Sequence, residues 1–149
     1  MDSIRLQSEP LEVAAAVQAV TCPEAGGIDV FLGTTRGEAH PEHGALLALD
    51  YEAYEPMALA EMARLVGQAR GRWPIARAVV WHRIGRVGVG EPSVVIAVSC
   101  LHRGEAFSAC QFLIDRLKES VPIWKREIYP DSGRWQAGAS PATPPSDPR

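Results

Sequence analysis

Ser93-Val94-Val95-Ile96-Ala97-Val98-Ser99-Cys100, followed after Leu101-His102-Arg103 by a helical run over residues 104–120, decides the fold class. The first segment is β-branched and bounded by Pro92, so it reads as a strand, and it feeds a long helix almost at once. A second β-branched segment at 78–84 lies upstream across the glycine-rich connection 85–92, which makes a hairpin-like pair. Further upstream, Arg72-Trp73-Pro74 ends a helix begun at Glu55-Pro56, because proline disfavours helical geometry before it and lacks the donor a helix needs. In that helix Met57, Ala60, Glu61, Arg64, Leu65 and Ala69 keep a 3.6-residue period.

Toward the N-terminus, residues 45–52 have the apolar content of a strand, and Ile28-Asp29-Val30-Phe31-Leu32 alternates as another before the turn-like Gly33-Thr34-Thr35-Arg36-Gly37. Glu9-Pro10 opens a short alanine-rich helix that Cys22-Pro23 closes. Residues 121–129 continue the chain as an extended segment. The core order β-β-α-β-β-α-β predicts an α+β fold, a mostly antiparallel sheet with packed helices, in a single domain over residues 1–136. Residues 137–149, rich in proline, serine and alanine, read as a flexible tail.

A chain of 149 residues with 46% hydrophobic and 22% charged side chains has the composition of one globular domain rather than of a disordered segment. Its formal net charge of −3 excludes a broad nucleic-acid or anionic-membrane surface, so any preference for anions must be local. No apolar run approaches the roughly 20 residues of a membrane helix, and no signal peptide opens the sequence, so a cytoplasmic protein is expected. Cys22, Cys100 and Cys110 lack CxxC spacing, which predicts neither a disulfide framework nor a thiolate metal site.

Local cations are concentrated in one region. On the 104–120 helix Lys118 follows Phe107, Gln111 and Ile114 at intervals of four, three and four, placing a lysine on a partly apolar stripe. Its ammonium either snorkels to solvent at the helix end or lies partly desolvated and able to pass protons. A helix-dipole partner is the plainer role. In the extended run Lys125 and Arg126 face opposite ways, so only one shares a pocket with Lys118; Lys125 is the choice, and Arg126 reads as a strand cation paired with a carboxylate.

His102-Arg103 precedes the same helix, where free N–H groups and the helix dipole attract anions, and Arg36 projects from a tight turn. Arg103 and Lys118 are fifteen residues apart, hence about 22 Å along the helix, too far to grip one small ligand. If both helix ends serve one ligand, a two-fold dimer is required, with His102 and Arg103 of one subunit joining Arg36, Lys118 and Lys125 of the other. Other candidates are weaker. His40 and His43 flank a proline in a polar loop, His82 reads as structural within a strand, and Cys100 pairs with His102 only if the strand persists that far.

Together, Phe31-Leu32-Gly33-Thr34-Thr35-Arg36, His82-Arg83-Ile84-Gly85, Gly90-Glu91, His102-Arg103, Ala106-Phe107, Asp115-Arg116-Leu117-Lys118 and Pro122-Ile123-Trp124-Lys125-Arg126-Glu127 resemble the large, catalytic subunit of molybdopterin synthase, over about residues 27–136. The resemblance implies an α/β-hammerhead-like homodimer with a small ubiquitin-like sulfur carrier at each end, a heterotetramer. The carrier's C-terminal Gly-Gly thiocarboxylate would deliver sulfur to cyclic pyranopterin monophosphate, forming the molybdopterin dithiolene of the molybdenum cofactor, with no metal and no cofactor in this step. It also implies that Lys118 is the principal catalytic lysine and Lys125 its substrate-side companion. Arg36 with His102 and Arg103 of the second subunit would hold phosphate and pterin groups, and Phe31 would line the pocket. Family members often carry a basic residue soon after the tryptophan matching Trp135, where this chain reads Gln136-Ala137-Gly138-Ala139. Arg134 is the candidate replacement. Two rivals remain at this level: a dimeric module that binds an anion or a ubiquitin-like tail without catalysis, and a sulfurtransferase using a Cys100 persulfide.

Overall fold

The computed structural model describes residues 2–131 and the backbone of residues 133–135. In chain order the elements are β1 (Asp2–Gln7), α1 (Val13–Val20), β2 (Gly27–Thr34), β3 (Ala39–His40), β4 (Gly44–Ala45), β5 (Ala48–Ala53), α2 (Glu55–Arg72), β6 (Ile75–Arg83), β7 (Gly85–Gly88), β8 (Pro92–Cys100), α3 (Arg103–Ser120), β9 (Ile123–Ile128) and β10 (Gly133–Trp135). One four-stranded sheet has the order β1-β6-β8-β2 and a second the order β10-β9-β5-β7, while β3 and β4 form a small hairpin. Among the described residues only the β1–β6 pairing is parallel. The fold is therefore α+β and mostly antiparallel, as the sequence predicts. The expected tail, residues 137–149, lies outside the described residues.

The element order is richer than β-β-α-β-β-α-β. Strand β1 escapes sequence reading because only Ile4 and Leu6 in it are large and apolar. It is held by the parallel ladder to β6, by Asp2 paired with Arg70 at 2.6 Å, and by Arg5 lying 4.3 Å over the Trp81 ring. The 85–92 connection is also more than a hairpin loop. Gly85 and Gly90 take positive φ of 83° and 85°, conformations that L side chains rarely adopt, and between them β7 leaves β6 to pair with β5 in the other sheet. Strands β6 and β8 still pair antiparallel, as expected.

Strand β8 is buried along nearly its whole length because both faces of its sheet are covered, which is why it reads as a continuous apolar run. Val94, Ile96, Val98 and Cys100 face the core shared with α2 and α3. Val95 and Ala97, with Val79 and Trp81 of β6, face Ala16 and Val20 of α1. In α2 the buried stripe is Ala58, Met62, Leu65, Val66 and Ala69. The helical period predicted there is right, but the phase is rotated: Met57 is 63% exposed, while Ala58 and Met62 are fully buried. A similar rotation in α3 leaves Phe107 exposed and buries Ala106, Ala109, Cys110, Leu113, Ile114 and Leu117.

The start of β2 lies hard against the N-terminus of α3. A Cβ on Gly27 would stand 2.8 Å from the Arg103 Cα, and one on Gly26 would stand 2.3 Å from the Leu101 carbonyl oxygen. Backbone cannot yield as a flexible side chain would. Gly27→Ala is expected to lower stability by about 1–3 kcal/mol, read from the urea midpoint, as overpacking generally does.

Candidate active site

Between the two sheets and the C-terminal half of α3 lies a cavity of about 430 Å³. Its floor is a row across the first sheet: Gly33 of β2 pairs with Val94 of β8, and Val94 pairs with His82 of β6, so the three share a face. One wall comes from the second sheet, where Tyr51 of β5 stands directly opposite Lys125 of β9. The facing wall is Ile114, Leu117 and Lys118 of α3, and the rim carries Phe31, Arg36 and Glu38. Residues from six elements thus meet here, and the cations Arg36, Lys118 and Lys125 face a single carboxylate, Glu38.

Register explains which strand cation enters. Lys125 lies across from Tyr51, whereas Arg126 lies across from Asp50 and is held by its carboxylate at 3.3 Å. That is the division expected from strand alternation. Burial lowers the pKa of Lys125, and the nearby charge of Lys118 lowers it further, with Glu127 and Glu38 opposing. Lys118 is exposed at the cavity mouth, so of the two environments considered for it the structure selects the solvated one. The desolvated lysine is Lys125.

His82, read from sequence as structural within a strand, does lie in β6, but it also lines the cavity. It is 5% exposed, packs edge-on against Tyr51 with ring centroids 4.9 Å apart, and its Nδ1 lies 2.7 Å from the Arg83 carbonyl oxygen. Burial drives its pKa down to about 4, with Lys118 and Lys125 adding to the fall against the Arg83 hydrogen bond. Between that value and the ordinary 6.5 the unfolded chain binds the extra proton, so stability is lost as pH drops through this window. The loss approaches about 3 kcal/mol near pH 4 from this residue alone. Urea unfolding at about pH 7 and about pH 5 checks it, since His82→Gln should show a distinctly smaller difference between the two.

A profile of the MoaE protein family matches residues 6–120. The molybdopterin synthase catalytic subunit of Pyrococcus abyssi is 40% identical over 136 residues, covering 91% of this chain and 90% of the relative. The chain belongs to the MoaE family. The crystal structure of molybdopterin synthase from Staphylococcus aureus superposes on it with a TM-score of 0.83 at 34% identity, over 89% of this chain and 95% of that one. The catalytic subunit of Drosophila mojavensis is 44% identical over 92% of this chain, but the chain spans only 38% of that relative's length.

Within this MoaE chain the remaining candidates fall apart spatially. His102 and Arg103 are exposed at the N-terminus of α3 and do not line the cavity, as the helix length requires. His102 occupies the N-cap position without a side-chain capping bond. Strand β8 ends at Cys100, so no Cys100–His102 pair forms. Cys100 is wholly buried in the core and its thiol pKa is pushed up by burial, the opposite of what a persulfide carrier needs. His40 and His43 stack near Tyr129, and His43 Nδ1 contacts Asp131 at 2.6 Å. Gln136 and the residues after it, where the missing basic residue would stand, lie outside the described residues, as does the Arg134 side chain. Tyr51, Ser93 and Glu38 joined the site unannounced, since hydroxyls and a loop carboxylate carry no spacing signal of their own. No described helix is long and apolar enough to cross a membrane.

Proposed function

We propose that this chain is the catalytic subunit of molybdopterin synthase, transferring sulfur from the C-terminal thiocarboxylate of a small ubiquitin-like carrier to cyclic pyranopterin monophosphate. The observation that carries the reading is one cavity uniting Lys118, Lys125 and Arg36 in a chain of this family. The thiocarboxylate sulfur attacks a side-chain carbon of the pterin and forms a C–S bond as a C–O bond at that carbon breaks, the oxygen leaving as water or, where the cyclic phosphate opens, on the phosphate. Water then hydrolyses the acyl–sulfur bond, releasing the carrier as its carboxylate and leaving the sulfur on the pterin. Two such transfers, with opening of the cyclic phosphate, give the dithiolene. Lys118 at the mouth meets the carrier's tail, while Lys125, half-buried, stabilises negative charge that develops deeper in the cavity. Arg36 at the rim and Phe31 beside it hold the substrate.

The catalytic unit is a homodimer in this reading, because His102 and Arg103 serve a cavity only from a second subunit. Exposed Phe31 and Leu32 on edge strand β2, with Leu101 and Phe107 near the start of α3, supply apolar surface for that contact. With a carrier at each end, the assembly is a heterotetramer. Its place is the cytoplasm, in keeping with three free cysteines. The test is formation of molybdopterin from cyclic pyranopterin monophosphate by this chain and a thiocarboxylated carrier. Product supports the reading; carrier bound without product favours a module that binds the tail and does no chemistry.

A further inference from the structure

A backbone carbonyl only accepts hydrogen bonds, so the 2.7 Å contact between His82 Nδ1 and the Arg83 oxygen requires a proton on Nδ1. Complete burial beside two lysines keeps the ring neutral at physiological pH, so it carries no second proton. Nε2 is therefore a bare lone pair on a residue that lines the cavity. The titratable and charged groups around that cavity are Arg36 and Glu38 after β2, Tyr51 on β5, Lys118 on α3 and Lys125 on β9. Ser93 donates its hydroxyl to the Gly33 carbonyl at 3.3 Å. Of the lining groups that can donate, Tyr51 offers a neutral hydroxyl, whereas the cations offer charge-assisted hydrogen bonds, the stronger kind.

We propose that His82 is a positioning residue of this pocket, whose Nε2 accepts a hydrogen bond from an ammonium of the Lys118–Lys125 pair and holds it toward the bound anion. A neutral acceptor suits this place: a carboxylate would neutralise the pair and compete with an anionic substrate, and an imidazolium would add a third repelling charge. The kinetic part of the test rests on the sulfur-transfer reading above; the spectroscopic part does not. In the full chain with labelled histidine, ¹⁵N NMR should show the neutral Nδ1–H tautomer of His82 over about pH 6–8. Lys118→Ala or Lys125→Ala, and separately added inorganic phosphate, should each move the Nε2 resonance. An Nε2–H tautomer, or no response to either lysine exchange, overturns the proposal.

In turnover, His82→Asn keeps a donor toward Arg83 but has nothing at the Nε2 position, and kcat should fall about 10- to 100-fold with KM little changed. His82→Gln, which restores an acceptor there, should recover to within about fivefold of wild type. A folded His82→Asn chain with wild-type kcat also overturns the proposal. If wild type makes no product, the sulfur-transfer reading has failed, and the resonances alone decide the role of His82.

Discussion

Lys118→Ala is expected to cut molybdopterin formation by about 10²–10⁴-fold while leaving the fold intact. The fold should survive because Lys118 is exposed and the Leu117 and Ile114 side chains beside it, not its own, fill the core. Such surface exchanges normally move stability by no more than about 0.5 kcal/mol. Lys118→Arg should not rescue fully, since a planar guanidinium cannot replace a compact ammonium as a proton donor to a small reacting group. The measurement is product formation beside carrier binding on the same preparation. Retained binding with lost product assigns chemistry to this site, and equal product from both chains removes Lys118 from the mechanism.

Mixing two inactive chains should restore activity. Arg103→Ala and Lys118→Ala homodimers each lack one component of every site if His102 and Arg103 act across a two-fold axis. In a mixed dimer, one site collects both substitutions and the other collects none. Refolding the two chains together in equal amounts makes about half of all dimers mixed, so about a quarter of wild-type activity should return. Sites built within one chain cannot complement in this way, and no recovery would sink the shared-site arrangement.

Much of this architecture was legible in the chain because burial leaves periodic signals. Strand β8 is apolar on both faces, and α3 ends where Pro122 forbids continuation, so the scaffold that aims Lys118 could be read directly. Alternation separates Lys125 from Arg126, and Lys125, the one chosen for the pocket, lines the cavity; that Asp50 is the carboxylate beside Arg126 follows only from the register. What could not be read were features that depend on partners distant in sequence. His82 looks structural beside Val80 and Trp81; its role emerges only when β9 and α3 bring two lysines to it. The phase of α2 depends likewise on distant partners, since packing turns Ala58, Met62, Leu65, Val66 and Ala69 inward and leaves Met57 exposed.

Strand β9 lies between β5 and β10, and its Arg126 reaches an aspartate 76 residues earlier in the chain. Contacts of such sequence separation form late, after the entropy of closing a long loop has been overcome. During synthesis, then, β5 leaves the ribosome long before the strand that covers its edge, with Leu49 and Tyr51 waiting beside an unsealed groove. Such nascent surface is what holdase chaperones bind. A chain stalled before residue 123 would already carry Lys118 yet lack the wall that faces it, so the cavity exists only once β9 has emerged.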